Sequence, residues 1–186
     1  MKWKIVIRSL ASIFIIIGIL AFPIIAKRIF PLYYSTHIEY YSKQYNLDPY
    51  IVAALIKTES NFRPNAKSSK NAHGLMQITY TTGEWAAAEM KLNSFVTNKL
   101  LEPEYNIRMG CWYLNNLKKE FGNNMDLVLA AYNGGRGNVQ KWLADSDHSL
   151  DGKNLYYIPF KETDKYVKRV KAYYNVYKFL YKNRFN

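Results

Sequence analysis

Among the fourteen acidic residues of this 186-residue chain, Glu59 has the setting in which a carboxyl group does proton chemistry rather than simply meeting solvent. It closes an apolar run within DPYIVAALIKTESNFRPNAKSSKNAHG, residues 48–74. Asp48 followed by Pro49 reads as an N-cap with proline at the first helical position. Ile51, Leu55 and Ile56, with Ala53 and Ala54 between them, make the helix too apolar to be exposed. A glutamate at the last turn of a buried helix, beside Ser60, loses hydration and faces the negative end of the helix dipole. Both effects hold its proton. A carboxylic acid that is still protonated near neutral pH can donate to a leaving-group oxygen, as cleavage of a glycosidic bond requires. An ordinary solvated glutamate at a helix end is the alternative on this stretch alone.

Two further clusters offer groups suited to holding a sugar. In Gly74-Leu75-Met76-Gln77-Ile78 the glycine allows close approach, Met76 offers a soft apolar surface and Gln77 an amide able to bond an N-acetyl group. A plain turn entering a helix is the other reading. Tyr132 and Asn133 end an apolar run, Met125 to Gly135, closed by two glycines. A tyrosine there is either core or cleft. In the last helix, Lys161 to Asn183, Tyr166, Val170, Tyr173 and Tyr177 recur at helical spacing, which is a core pattern. No pair of His or Cys falls at metal-ligand spacing, so no metal and no cofactor are expected, and His37 and His148 read as surface or packing residues.

The blocks ALIKTESNFRPNAKSSKNAHGLMQI, AAYNGG (Ala130 to Gly135) and IPFKETDKYVKRV (Ile158 to Val170), in that order, resemble the catalytic domain of the lytic transglycosylases that cleave bacterial peptidoglycan, a domain similar to goose-type lysozyme. The likeness runs from about Tyr40 to Tyr177. It implies that Glu59 is the catalytic acid and that Ser60, Met76, Gln77, Tyr132, Asn133, Glu162 and Tyr166 bind substrate, with the Tyr132 phenol bonded to Glu59. It implies cleavage of the MurNAc-GlcNAc β-1,4 bond, with Glu59 first protonating the bridging oxygen and then deprotonating the muramyl 6-hydroxyl to close a 1,6-anhydro ring. Two-carboxylate glycosidases need a second acid, and only Glu162 is carried by another cleft motif. A hydrolytic muramidase and a non-catalytic glycan-binding factor are the alternatives. Asn71 departs from the resemblance, standing where glycine is usual.

The elements that must position these groups read as an all-α, lysozyme-like domain. Helices are expected over Ser35 to Asn46, Thr82 to Lys91, Pro103 to Phe121 and Asn138 to Ala144, with Asn61 to His73 a polar loop held by its own side chains. Ile107, Cys111, Leu114 and Leu117 share a face, and Gly110 permits a close helix contact. Cys111 is the single cysteine, which excludes an intrachain disulfide.

At the other end of the chain, Lys2, Lys4 and Arg8 precede Ser9 to Ala26, eighteen uncharged and mostly aliphatic residues, before Lys27-Arg28. That length spans a bilayer. A cleavable signal peptide is the rival, but a clean A-x-A is missing. The expected organisation is a membrane anchor or signal peptide over residues 1–30 and a catalytic domain over 31–186. The basic residues ahead of the span place the domain outside the cell membrane, as a single-pass protein. With the three basic residues of 1–8 set aside, 23 basic against 14 acidic residues leave +9. Such a charge suits wall polymers and anionic headgroups. No nucleic-acid module is recognisable and the basic residues are scattered, so the expected partners are peptidoglycan strands, the membrane and cell-wall assembly proteins, not nucleic acid.

Overall fold

In a computed structural model of the protein, the described residues are 2–92 and 95–185. Eight helices follow in order: α1 (Lys2–Ile29), α2 (Ser35–Gln44), α3 (Pro49–Ser60), α4 (Tyr80–Glu89), α5 (Pro103–Phe121), α6 (Met125–Gly134), α7 (Arg136–Ala144) and α8 (Lys161–Leu180). Between α3 and α4 lies a two-stranded antiparallel hairpin, β1 (Ala72–His73) and β2 (Ile78–Thr79), in which Ala72 pairs with Thr79. The hairpin and a short 3-10 turn at Thr97–Leu101 are additions to the all-α expectation. Strands of two residues are too short to show an alternating pattern, which is why the sequence reads there as loop.

The core is built around α3. Tyr50 to Ile56 are all buried, and α3 packs most extensively on α8, which also packs on α6. An Asp48 carboxylate oxygen accepts from the Tyr50 N–H at 2.8 Å, and Pro49 occupies the first helical position, so the start of α3 is set by local chemistry. α5 contributes Ile107, Cys111, Leu114 and Leu117 to the same core. Burial pushes the Cys111 thiol far up, which makes it an inert packing group.

None of the described side chains of α1 enters that core. Phe14 to Leu20, Phe22, Ile24 and Ile25 are exposed on every side of the helix, Phe14 by 72% and Ile19 by 67%. Among the described residues no helix is long and apolar enough to cross a membrane. Part of the expected span falls outside this statement, because the side chains of Ser9 and Ala11 to Ile13 are not described.

Candidate active site

Glu59 is the penultimate residue of α3. One of its carboxylate oxygens accepts a 2.5 Å hydrogen bond from the Tyr166 hydroxyl, brought to it by α8 crossing α3. Glu59 keeps some surface open, yet its carboxyl is enclosed closely enough by protein to lose most of its hydration. Desolvation pushes its pKa up to about 7, against the opposing pull of the Tyr166 bond. The chain leaves α3 through two consecutive left-handed residues, Asn61 (φ 52°) and Phe62 (φ 61°). Phe62 is buried, and a bulky side chain in that conformation costs roughly 1–3 kcal/mol, so the abrupt turn beside the acid is held by packing.

The hairpin follows the loop that leaves α3 and is held against α5. Gly74 has φ +78°, and a Cβ there would lie 2.1 Å from the Leu100 carbonyl oxygen, so only glycine fits. Asn106 is fully buried in α5. Its carbonyl oxygen accepts from the Met76 N–H at 2.7 Å, and its amide donates to the His73 and Leu100 carbonyls at 2.8 Å each. A Cβ on Gly110, one turn further along, would meet the Met76 sulfur at 2.3 Å, so the close contact expected of this glycine is with the hairpin turn. Asn71 takes φ 54°, the left-handed conformation that glycine would adopt without strain.

Several expected site residues sit differently from their expected roles. The Met76 side chain is fully buried beneath Gly110 and presents no surface for substrate. The Gln77 amide nitrogen is occupied by the Ala66 and Gly74 carbonyls at 3.1 and 2.8 Å, which leaves its oxygen as the free polar atom. The Ser60 hydroxyl is buried and turns back to the Ile56 carbonyl at 3.2 Å. The Tyr132 hydroxyl donates to the Met76 carbonyl at 2.8 Å rather than to Glu59. Tyr132 leaves the end of α6 beneath the hairpin, where that carbonyl needs a partner, and Tyr166 takes the position against Glu59. Both phenols are pushed well above their ordinary pKa, first by burial and then by the Glu59 charge, so each stays a proton donor.

Two hollows meet at Asn133 and Gly134. One, of about 660 Å³, is lined by Lys70, Asn138, Phe160, Lys161 and Glu162. The other, of about 260 Å³, is lined by Gln77, Thr79, Thr82, Tyr113 and Tyr132. The Asn133 side-chain oxygen accepts from the Thr163 hydroxyl at 3.0 Å, which fixes its amide at the junction. Glu162 is exposed on the rim, while Tyr166 is buried beside the acid, so this pair from one motif serves different surfaces. Among the described residues no cluster of three His, Cys, Asp or Glu side chains is placed to hold a metal ion. Asn106 and Thr163 went unrecognised in the sequence. The available signal for Asn106 was an amide on the helix face that Gly110 also occupies, one turn on.

A model of the family described as "Transglycosylase SLT domain" matches residues 36–155. The soluble lytic murein transglycosylase of Salmonella typhimurium is 37% identical over 146 residues, covering 77% of this chain and 23% of that protein. The crystal structure of the 70 kDa soluble lytic transglycosylase of Escherichia coli superposes with a TM-score of 0.74 at 33% identity, over 83% of this chain and 25% of that one. An inactive glutamate-to-glutamine mutant of the lytic transglycosylase Slt from Pseudomonas aeruginosa gives 0.71 at 31% identity, over 81% and 24%. The chain thus spans about a quarter of the length of these relatives.

Proposed function

The chain belongs to the transglycosylase SLT domain family, and from that premise we propose that it is a membrane-anchored peptidoglycan lytic transglycosylase whose single catalytic group is Glu59. The observation that carries this reading is a desolvated carboxyl group with a pKa of about 7, perturbed by burial and one phenol and by no second carboxylate among the described residues. Such a group is protonated often enough at neutral pH to give its proton to the bridging oxygen as the C1–O bond breaks. The substrate's N-acetyl group supports the cation-like sugar. Glu59, now a carboxylate held by the Tyr166 hydroxyl, takes the proton of the 6-hydroxyl as that oxygen bonds to C1. No water is consumed, and the product ends in a 1,6-anhydro ring.

Glycan occupies the two hollows, with the Asn133 amide between them and Glu162 on the rim binding rather than reacting. The anchor is α1. A helix whose described aliphatic face is exposed all round has a stable home in hydrocarbon, and the basic residues before it orient the catalytic domain outside. Mass spectrometry of digested peptidoglycan tests the chemistry. Anhydro ends are expected, and reducing ends throughout would make the protein a hydrolytic muramidase instead. Glu59→Gln should cost at least ~10²–10⁴-fold in rate, while Glu162→Gln should raise KM with kcat largely kept. Equal loss of kcat in both would require a two-carboxylate mechanism.

A further inference from the structure

The end of α1 is fixed to the domain by specific contacts. The Tyr181 hydroxyl donates to the Phe30 carbonyl at 2.8 Å and the Tyr177 hydroxyl to the Pro31 carbonyl at 2.9 Å, while the Lys57 ammonium bonds the Ile29 carbonyl. The Phe30 ring meets Tyr173 and Tyr177 edge-on, with centroids 5.2 and 5.9 Å apart. From there the last turns of α8 run alongside the preceding turns of α1. Between them is an apolar groove of about 410 Å³ lined by Gly18, Phe22, Ile25, Val176, Phe179 and Leu180. Phe179 is 72% exposed.

The groove has a depth as well as a composition. Gly18 lies eight residues before Ala26, the last residue of the expected span, or about 12 Å along a helix. A leaflet's hydrocarbon is about 15 Å thick, half of a ~30 Å core. The groove runs along α1 from Gly18 to Phe30, so the part of it lined by Gly18 to Ile25 is level with lipid tails and the part lined by Ala26 to Phe30 with the headgroups. Exposed basic residues adjoin its lining in the chain: Lys27 and Arg28 fall between the lining residues Ala26 and Ile29 on α1, and Lys182 follows the lining residue Leu180 by two positions.

We propose that the last turn of α8 is itself seated in the outer leaflet: Phe179 and Leu180 enter the hydrocarbon beside α1, and an acyl chain of an anionic phospholipid fills the groove with its phosphate against Lys27, Arg28 and Lys182. This rests on α1 being a membrane span. The apolar lining alone would also suit a partner helix or a second copy of the chain. The basic rim selects the lipid, because it complements a phosphate and would be repelled by the same rim on another copy. The domain then has a fixed tilt on the membrane, and its cleft a fixed height, instead of swinging on a tether.

The test uses full-length chain in vesicles of phosphatidylcholine with and without phosphatidylglycerol. A nitroxide is placed at Phe179→Cys and, as a control on the exposed face of α8, at Lys168→Cys; the native Cys111 is buried and takes no label. The logarithm of the oxygen-to-nickel-chelate accessibility ratio should be positive at 179 and negative at 168, and Lys27→Gln with Lys182→Gln should reduce the value at 179 only in the anionic vesicles. Nickel access at 179 in protein that still floats with vesicles overturns the proposal and leaves the anchor standing. Exclusion of both reagents at 179 means protein, not lipid, covers the groove, which also overturns it. Failure to float with vesicles removes the anchor reading itself.

Discussion

Burial of Glu59 links its chemistry to the stability of the fold. Its pKa is raised from 4.5 to about 7 in the native state, so between those pH values the native chain keeps a proton that the unfolded chain has lost. Stability therefore falls as pH rises through this window. The cost is absent below the lower value and complete above the upper one, on the order of 3 kcal/mol. Glu59→Gln keeps an acceptor for Tyr166 and has no proton to lose. Its Tm should match the parent near pH 4 and exceed it by several degrees near pH 8, as scanning calorimetry at both pH values would show; an unchanged difference would mean that the carboxyl is solvated. The two phenols are separable in the same way. Because the Tyr166 bond lowers the Glu59 pKa, Tyr166→Phe should move the alkaline limb of the kcat/KM profile to higher pH while reducing the rate. Tyr132→Phe should leave that limb in place and cost about 1–3 kcal/mol of stability, because the Met76 carbonyl loses its partner.

The helices were largely legible because their signals are local. Asp48-Pro49 fixes where α3 begins, and the apolar face of α5 and its proline start define Pro103–Phe121 from the sequence alone. Several ends differ from the expected bounds. α4 starts at Tyr80 rather than Thr82, where the Thr79 side chain caps it, and α8 stops at Leu180 rather than Asn183. The hairpin was invisible for a different reason. Its conformation is imposed from 30 residues away by Asn106, whose three bonds have no counterpart in any local pattern. The partner of Glu59 was assigned to Tyr132 for a similar reason, since only the crossing of α3 and α8 reveals that Tyr166 reaches it. Asn106→Ala would leave the Met76 N–H and two carbonyls without partners, each at about 1–3 kcal/mol. It should lower Tm sharply and lower kcat/KM through Gln77 and Tyr132, with the pH limb set by Glu59 unchanged. Gly110→Ala should show the same pattern, because its Cβ would lie 2.3, 2.7 and 2.8 Å from the Met76 sulfur, methyl and Cβ, and the last of these cannot yield without the hairpin backbone. If both variants bound and cleaved glycan normally, the hairpin would have no part in the cleft.

The whole chain pairs a basic catalytic domain with an apolar helix that has no core to enter, and the two are joined at Phe30 and Pro31 by bonds from Tyr181 and Tyr177. Those bonds bear on whether the leader is removed. Cleavage after Ala26 would leave Lys27 to Pro31 in place, with Lys27 over the Tyr181 ring at 5.5 Å, yet it would uncover the half-buried Val176 and Leu180 along the groove that α1 lines on one side. A retained α1 keeps Val176 and Leu180 partly covered and, as the proposed anchor, would hold Glu59 on the wall side. The mature protein should therefore fractionate with membranes, resist extraction by alkaline carbonate, and give an N-terminal peptide containing Lys2 to Arg8 on mass spectrometry. Protease added to cells with the outer surface accessible should remove the catalytic domain and leave a membrane-bound fragment carrying α1. Recovery of a soluble form beginning at Lys27 would establish cleavage instead, and the +9 charge of the released domain would then be its remaining means of staying near the wall.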